Sequence, residues 1–369
     1  MLPVLIALVF VMIACIVVFV YIYTQQDKKT FEKKIASVDT NITPRNTVPD
    51  TSTHRQQFAD WIAWIKIEQE DIQHLVQEVQ KVIVWMHRLV YGICIALLTE
   101  WHVLIQWAPW LAKTKTVASF AQAVWLIFQR IQFTPDMLPS DVVWVQIYNP
   151  KTQAFSTELW PIVGNLILAD EINRTTPKVQ AALLESMQEK QITLWWETHK
   201  LPRPFVVLAT QNPLEQEWTY PLPEAQLDRF MCQILVEYPS EWEEQEILNR
   251  IEQDETIKIK KVLTLKKLHE HQQHVAQVVI DDSIKAYITQ LVQQTRQSHE
   301  YIMYGASPRA SIALMQAAKA VAYLQGRDYV THDDVRAIYL SVMRHRIILT
   351  YEARAMQINV DDVLLSFIS

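Results

Sequence analysis

The sequence predicts an α/β protein in which a parallel sheet is covered by helices, followed by an all-α segment and preceded by an N-terminal transmembrane helix. Three observations predict it. Short, continuously apolar strands alternate with helical stretches, the pattern of a parallel sheet buried on both faces. From about Glu241 onward the chain turns helical and charged, with little strand signal. Residues Met1 to Tyr23 carry no charged side chain and are almost wholly apolar. At 1.5 Å per residue, that stretch can cross a hydrocarbon core of about 30 Å.

In chain order, residues 1–23 are the expected anchor. Lys28, Lys29, Lys33, Lys34 and Arg45 follow it, and no basic residue precedes it. The positive-inside rule then expects a single-pass membrane protein with its body in the cytoplasm. A cleaved signal peptide is the rival, but a basic leading region and a small-x-small cleavage site are both missing. Residues 24–66 read as a linker, with Thr, Asn and Pro clustered around Asn41 to Thr53. An α/β core is expected over 67–240 and an α-helical lid over 241–369.

Within the core, Ile72, Leu75, Val76, Val79, Val82 and Ile83 recur at helical spacing between Glu68 and Leu98. The run His102 to Gln106 is a short buried strand, and a helix of small residues follows near Thr114 to Val124. Leu166 to Asn173 is a second buried strand, ending in two acids, and Phe205 to Asn212 is a third. A hairpin is expected between these last two, from Gln191 to Leu194 and the segment before Pro202.

Composition excludes some functions. The net charge is −6 with no long basic stripe, so a nucleic-acid partner is not expected. Cys15, Cys94 and Cys232 lie far apart and match no metal or disulfide spacing. One count is abnormal. A chain of this length at ordinary usage would hold roughly 26 glycines; this one has 4, against 13 Trp and 16 Pro.

The segment Trp107, Ala108, Pro109, Trp110, Leu111, Ala112, Lys113, Thr114 ends like a phosphate-binding loop, between a strand and a helix. Lys113 would reach the β- and γ-phosphates of ATP, and Thr114 would bind Mg²⁺. Backbone N–H groups and the helix N-terminus would hold phosphate oxygens. Alone, a Lys-Thr pair is an ordinary basic helix start. Its companions change the odds. Asp170 and Glu171 end a buried strand, where Asp170 can hold Mg²⁺ and Glu171 can deprotonate an attacking water. Asn212 ends the third strand, where its amide could position that water. The bland readings are two acids solvating a strand end and an amide capping a turn before Pro213.

Four stretches carry a family resemblance: "RIQFTPDMLPSD" at Arg130 to Asp141, "NLILADEINRTTPKVQAALLESMQEKQIT" at Asn165 to Thr193, "ATQNPLEQEWTYPLPEAQLDRF" at Ala209 to Phe230, and "YGASPRASIAL" at Tyr304 to Leu314. Together they resemble the MoxR family of AAA+ ATPases, over roughly Glu70 to Arg346. The resemblance implies a P-loop AAA+ core with a helical lid. It implies that Arg229 is an arginine finger reaching a neighbouring subunit's γ-phosphate, that Arg309 is the second sensor and that Asn212 is the first. Residues Gln132 to Asn165 resemble the helix-two insert of this clade. A ring oligomer, most often a hexamer, is implied, with chaperone-like action on client proteins that include von Willebrand factor A domain proteins. Without the family, Arg229 could equally be a salt-bridge partner of Glu224 or Asp228.

The departures from the family pattern follow a rule. Trp stands where Gly is expected at Trp85, Trp101, Trp107, Trp110, Trp125, Trp144, Trp160 and Trp218, and at one or both of Trp195 and Trp196. Indoles at 107 and 110 would crowd the space that phosphates need, because glycine there permits unusual backbone angles and close approach. Two explanations compete. A dead, non-hydrolysing, membrane-anchored scaffold would scatter its losses over residue types, yet every polar site residue above is kept. A UGA codon that means glycine in the source, written as Trp, explains the Gly deficit, the Trp excess and their coincidence in one step. Trp61, Trp64 and Trp242 have no clear family expectation. His269, His271 and His274 read as an exposed helix face rather than a metal site.

Overall fold

The computed structural model describes residues 65–83, 86–107, 113–143, 145–149, 154–158, 161–194, 197–212, 219–252 and 258–368. At residues 107, 113, 145–149, 154–158, 193–194, 197 and 251 it describes the backbone alone. The expected anchor and linker therefore lie almost wholly outside the described residues. The single-pass membrane placement is corrected: among the described residues no helix is long and apolar enough to cross a membrane.

Five parallel strands form the central sheet: β1 (His102–Trp107), β2 (Phe128–Gln132), β5 (Leu166–Asp170), β8 (Val206–Gln211) and β9 (Phe230–Val236), in the order β2-β5-β8-β1-β9. The apolar runs are continuous because each strand feeds two cores. Val103 and Ile105, Leu166 and Leu168, and Val206 and Leu208 enter one hydrophobic cluster. The alternate residues Leu104, Ile167, Ala169, Val207 and Ala209 enter the other. Successive strand side chains point to opposite faces, so a sheet covered on both sides needs no polar alternation.

The first core joins the sheet to α1 (Glu70–Gln80), α2 (His87–Thr99), α3 (Lys113–Ala123) and the C-terminal helices. The helical stretch expected from Glu68 to Leu98 is thus two helices. The second core joins the sheet to α4 (Pro139–Val143) and α5 (Pro177–Glu189). A hairpin of β3 (Val145–Asn149) and β4 (Ala154–Glu158) stands in the Gln132–Asn165 insert. The expected second hairpin is present as β6 (Gln191–Leu194) and β7 (Glu197–Lys200).

The short α6 (Glu224–Leu227) leads into β9, and α7 (Glu241–Glu252) follows it. The lid holds α8 (Leu265–Gln277), α9 (Asp282–Gln294), α10 (Pro308–Leu324), α11 (His332–Met343), α12 (Tyr351–Ala355) and α13 (Val360–Leu365), with a small antiparallel pair β10 (Ile302–Tyr304) and β11 (Ile348–Leu349). Side-chain caps start several of these helices, including a capping box at Thr331 and Asp334. Packing of α10 against α2 and of α11 against β9 fixes the lid on the sheet.

Two retained glycines answer to geometry. Gly326 holds φ +74°, and a Cβ on Gly305 would stand 2.2 Å from the Thr295 carbonyl oxygen. Trp125 stands in a glycine-type position too. It holds φ +57° just after α3, where the Leu126 N–H bonds the Ala121 carbonyl at 2.9 Å and closes a Schellman turn. That turn favours glycine at its left-handed residue.

Candidate active site

The parallel strands bring their C-terminal ends to one edge, where α/β sheets bind ligands. Ile105 of β1 lies beside Thr210 of β8, and Gln132 of β2 beside Asp170 of β5. The chain leaves β1 at Trp107 and starts α3 at Lys113. The start of that helix is a natural anion site, because its first N–H groups lack intrahelical acceptors. Thr114, in the first turn, is half-buried. Ala108, Pro109, Trp110, Leu111 and Ala112 lie outside the described residues, as do Trp85, Trp144, Trp160, Trp195, Trp196 and Trp218.

Asp170 is 2% exposed at the end of β5. A buried carboxylate requires partners, and it has them. Thr210 Oγ1 donates to Oδ1 at 2.7 Å, and Arg130 Nη2 donates to Oδ2 at 2.9 Å. Glu171 follows at φ +59°, a left-handed turn that lifts its side chain off the strand axis. The same Thr210 Oγ1 accepts the Glu171 backbone N–H at 2.9 Å. One buried hydroxyl therefore fixes both acids. Gln132 Nε2 at 2.9 Å and Arg174 Nε at 3.1 Å both contact Glu171 Oε2. Among the described residues no such bond is made to Oε1, which leaves that oxygen for water. Asn212, just past β8, is buried, and its carbonyl accepts from Asn173 Nδ2 at 3.4 Å.

The structure thus gathers Lys113, Thr114, Asp170, Glu171 and Asn212 on one edge. Arg229 and Arg309 stand elsewhere, at the edge where the strands begin. They line a cleft of about 750 Å³ together with Glu100, Trp101, His102 and Lys190. Arg229 Nη1 donates to the Leu184 carbonyl at 2.6 Å, and its buried Nε has no partner among the described residues. Arg309 is exposed at the start of α10. Beside them Asp228 accepts from Ser307 Oγ at 2.7 Å and from Arg346 Nε at 2.8 Å, so Arg229 is not its ion-pair partner. Burial pulls the Arg346 guanidinium below its usual range, opposed by Asp228.

His102 is wholly buried at the start of β1. Its Nδ1 accepts the Val207 N–H at 3.0 Å, which assigns the proton to Nε2, 3.1 Å from the Met187 carbonyl. Burial lowers its pKa to about 4, so the ring is neutral. His271 meets Tyr323 Oη at 2.6 Å and Asp71 at 3.5 Å. Among the described residues no cluster of His, Cys, Asp and Glu could hold a metal ion.

Sequence reasoning missed Thr210, Arg130, Gln132, Arg174 and Arg346. A hydroxyl inside the apolar run of β8 was the available signal for Thr210, since a buried hydroxyl needs a partner.

Comparison with known proteins bears on what such an edge does. Residues 102–232 match the ATPase family associated with various cellular activities (AAA), and residues 294–365 match the AAA lid domain. The chain is 41% identical over 305 residues to the chaperone MoxR1 of Mycobacterium tuberculosis, covering 80% of this chain and 81% of that one. The chain belongs to the MoxR family of AAA+ ATPases. YeaC of Bacillus subtilis, an uncharacterized relative, is 44% identical over 306 residues, covering 82% of this chain and 95% of its own. A solved structure of a candidate ATPase from Cytophaga hutchinsonii superposes with a TM-score of 0.77 at 39% identity, covering 86% of this chain and 97% of that one. At the level of the MoxR family, the α/β core, the helical lid and an ATPase character follow.

The donors present suit a magnesium nucleotide. A buried carboxylate and a helix-start hydroxyl are hard oxygen ligands of the kind Mg²⁺ takes, and a helix N-terminus suits phosphate. Tryptophan at positions 107 and 110 does not suit it as a residue type, because a phosphate-binding loop needs small residues that let the backbone approach the phosphates.

Proposed function

We propose that this chain binds ATP with Mg²⁺ at the strand-end edge, hydrolyses it, and uses the cycle for chaperone-like remodelling or activation of client proteins. The arrangement of Asp170 and Glu171 around the Thr210 hydroxyl, beside the helix that Lys113 starts, is the observation that carries the reading. Lys113 and the first N–H groups of α3 would hold the phosphates. Thr114 and Asp170 would hold Mg²⁺, whose charge offsets that of the phosphates. Glu171 would take a proton from water onto Oε1 while Oε2 stays held by Gln132 and Arg174, and Asn212 would orient that water.

Arg229 and Arg309 would act on a neighbour's nucleotide. β1 runs from His102 to Trp107, so the two edges are separated by roughly 17 Å at 3.3 Å per residue. This supports a ring oligomer, by family resemblance a hexamer. Proteins with a von Willebrand factor A domain are the clients the family resemblance favours.

The reading requires that positions 107 and 110 carry no bulky side group. We infer that the tryptophans at expected glycine positions are glycines in the native protein. Trp125, at φ +57° in a Schellman turn, supports this, since bulky residues rarely adopt that conformation. Trp101 is neutral on the point; its backbone is not left-handed, and its Nε1 donates to Gln316.

The test is protein made with the native code and its Glu171→Gln variant. The variant is expected to bind ATP like the parent and to hydrolyse it at least about a hundredfold more slowly. Equal turnover would remove Glu171 as the base. Mass spectrometry of the native peptide ending at Lys113 reads positions 107 and 110 directly. Tryptophan there would favour the non-hydrolysing scaffold instead.

A further inference from the structure

Gln180, near the start of α5, is wholly buried, yet one end of its amide faces backbone. Its Nε2 lies 3.1 Å from the Ile172 carbonyl oxygen, 3.2 Å from that of Thr175 and 3.0 Å from that of Tyr220. Three acceptors around one end fix which end is nitrogen, because an oxygen there would meet only other oxygens. The Oε1 at the far end is buried and has no partner among the described residues. An apolar side chain of the same shape would avoid that penalty. The donor end is therefore what this position supplies.

The three carbonyls belong to two segments. Ile172 and Thr175 lie in the turn that follows Glu171, and Tyr220 lies just before α6. Asn173 ties the same segments a second time. Its Nδ2 faces the Asn212 carbonyl at 3.4 Å, and its own carbonyl accepts the Tyr220 N–H at 2.7 Å. The turn bearing Glu171 is thus bound both to Asn212 and to Tyr220.

We propose that Gln180 is a positioning residue which, with Asn173, sets Glu171 and Asn212 relative to one another, so that base and water-orienting amide move as one unit. The inference rests on the ATPase reading above. It distinguishes Gln180 from an ordinary core residue, which would stabilise the fold without favouring one step.

Steady-state hydrolysis and ATP binding of the full chain, made with the native code, test it. Gln180→Met keeps length and volume but removes the donors. It is expected to lower kcat at least about tenfold while KM for ATP stays within about twofold. Added to Glu171→Gln, it is expected to change the residual rate by less than about twofold, because groups acting through one another are non-additive. An equal loss in both backgrounds means a general structural role and overturns the proposal. Ser186→Ala, a change at a buried hydroxyl on the same helix that donates to the Ala182 carbonyl, should leave both rates at the parental level. Should Gln180→Met not fold, Asn173→Leu carries the same comparison, with a kcat loss of about threefold expected at unchanged KM. No loss there overturns the proposal. A parent that does not hydrolyse ATP overturns the ATPase reading beneath it; a hydrolysing parent matched by Gln180→Met overturns this inference alone.

Discussion

Trp125 allows the glycine reading to be tested on stability, apart from nucleotide chemistry. The left-handed backbone at φ +57° costs an L-residue about 1–2 kcal/mol. Glycine escapes the strain but loses about 0.5–1 kcal/mol more backbone freedom on folding than alanine does. Glycine at 125 should therefore exceed alanine by about 0.5–1 kcal/mol. The indole is 56% exposed, and Lys261 Nζ stands 4.0 Å from its ring centre. Such a contact contributes about 0.5–1 kcal/mol at an exposed site. Trp125→Ala loses it and keeps the strain, so a loss of that size is expected. Trp125→Gly loses it and sheds the strain, so stability within about 0.5 kcal/mol of the parent is expected. Thermal unfolding of the full chain, at fixed protein and nucleotide concentration, should separate Gly from Ala by about 2 °C in Tm. Alanine at least as stable as glycine would refute the reasoning, because glycine would then gain nothing from the turn.

Two further outcomes follow from buried groups. Thr210→Val leaves the Asp170 Oδ1 and the Glu171 N–H without the hydroxyl they share; a loss of about 1–3 kcal/mol in unfolding free energy is expected, with turnover down at least about tenfold, while Thr210→Ser restores both. His102 is neutral in the fold with its pKa near 4, whereas the unfolded chain takes up the proton below its ordinary value of about 6.5. Its contribution is therefore complete above pH 6.5 and is lost as pH falls toward 4, by up to about 3 kcal/mol. Urea unfolding of the parent at pH 7 and pH 4.5, against His102→Asn, should show the smaller pH slope in the variant.

The strands β1, β5 and β8 were legible because a sheet covered on both faces writes itself as unbroken apolar runs. The acids at 170 and 171 were legible because charge at the end of such a run is conspicuous. The break between α1 and α2 was not, since Val82 and Ile83 continue the helical spacing past Gln80, where α1 ends. Thr210 was hidden by its small size within an apolar strand. Arg130 and Gln132 were hidden because their partners come from a strand some forty residues away, and register alone sets Gln132 beside Asp170. The brace at Gln180 was illegible for a similar reason: a glutamine on an amphipathic helix reads as solvated until three carbonyls are found around it. The membrane expectation rested on residues 1–23, and the described residues supply no spanning helix.

The separation of the two edges carries the argument for assembly further than the resemblance does. The acids of the strand-start cleft are already committed. Glu100 is held by Lys190 at 2.8 Å, and Asp228 by Arg346 and Ser307. Arg229 meets a neutral carbonyl through Nη1, and its buried Nε has no partner among the described residues; Arg309 makes no side-chain ion pair among them. The cleft is thus left with uncompensated positive charge, which favours an anion. The strand-end edge of the same chain would carry a triphosphate, roughly 17 Å away along β1. A two-fold dimer matches the arginines only where the cleft and the strand-end edge fall within one self-complementary patch. A head-to-tail contact would set the cleft of one copy on the strand-end edge of the next, and such contacts form the proposed ring where their rotation closes on a full turn.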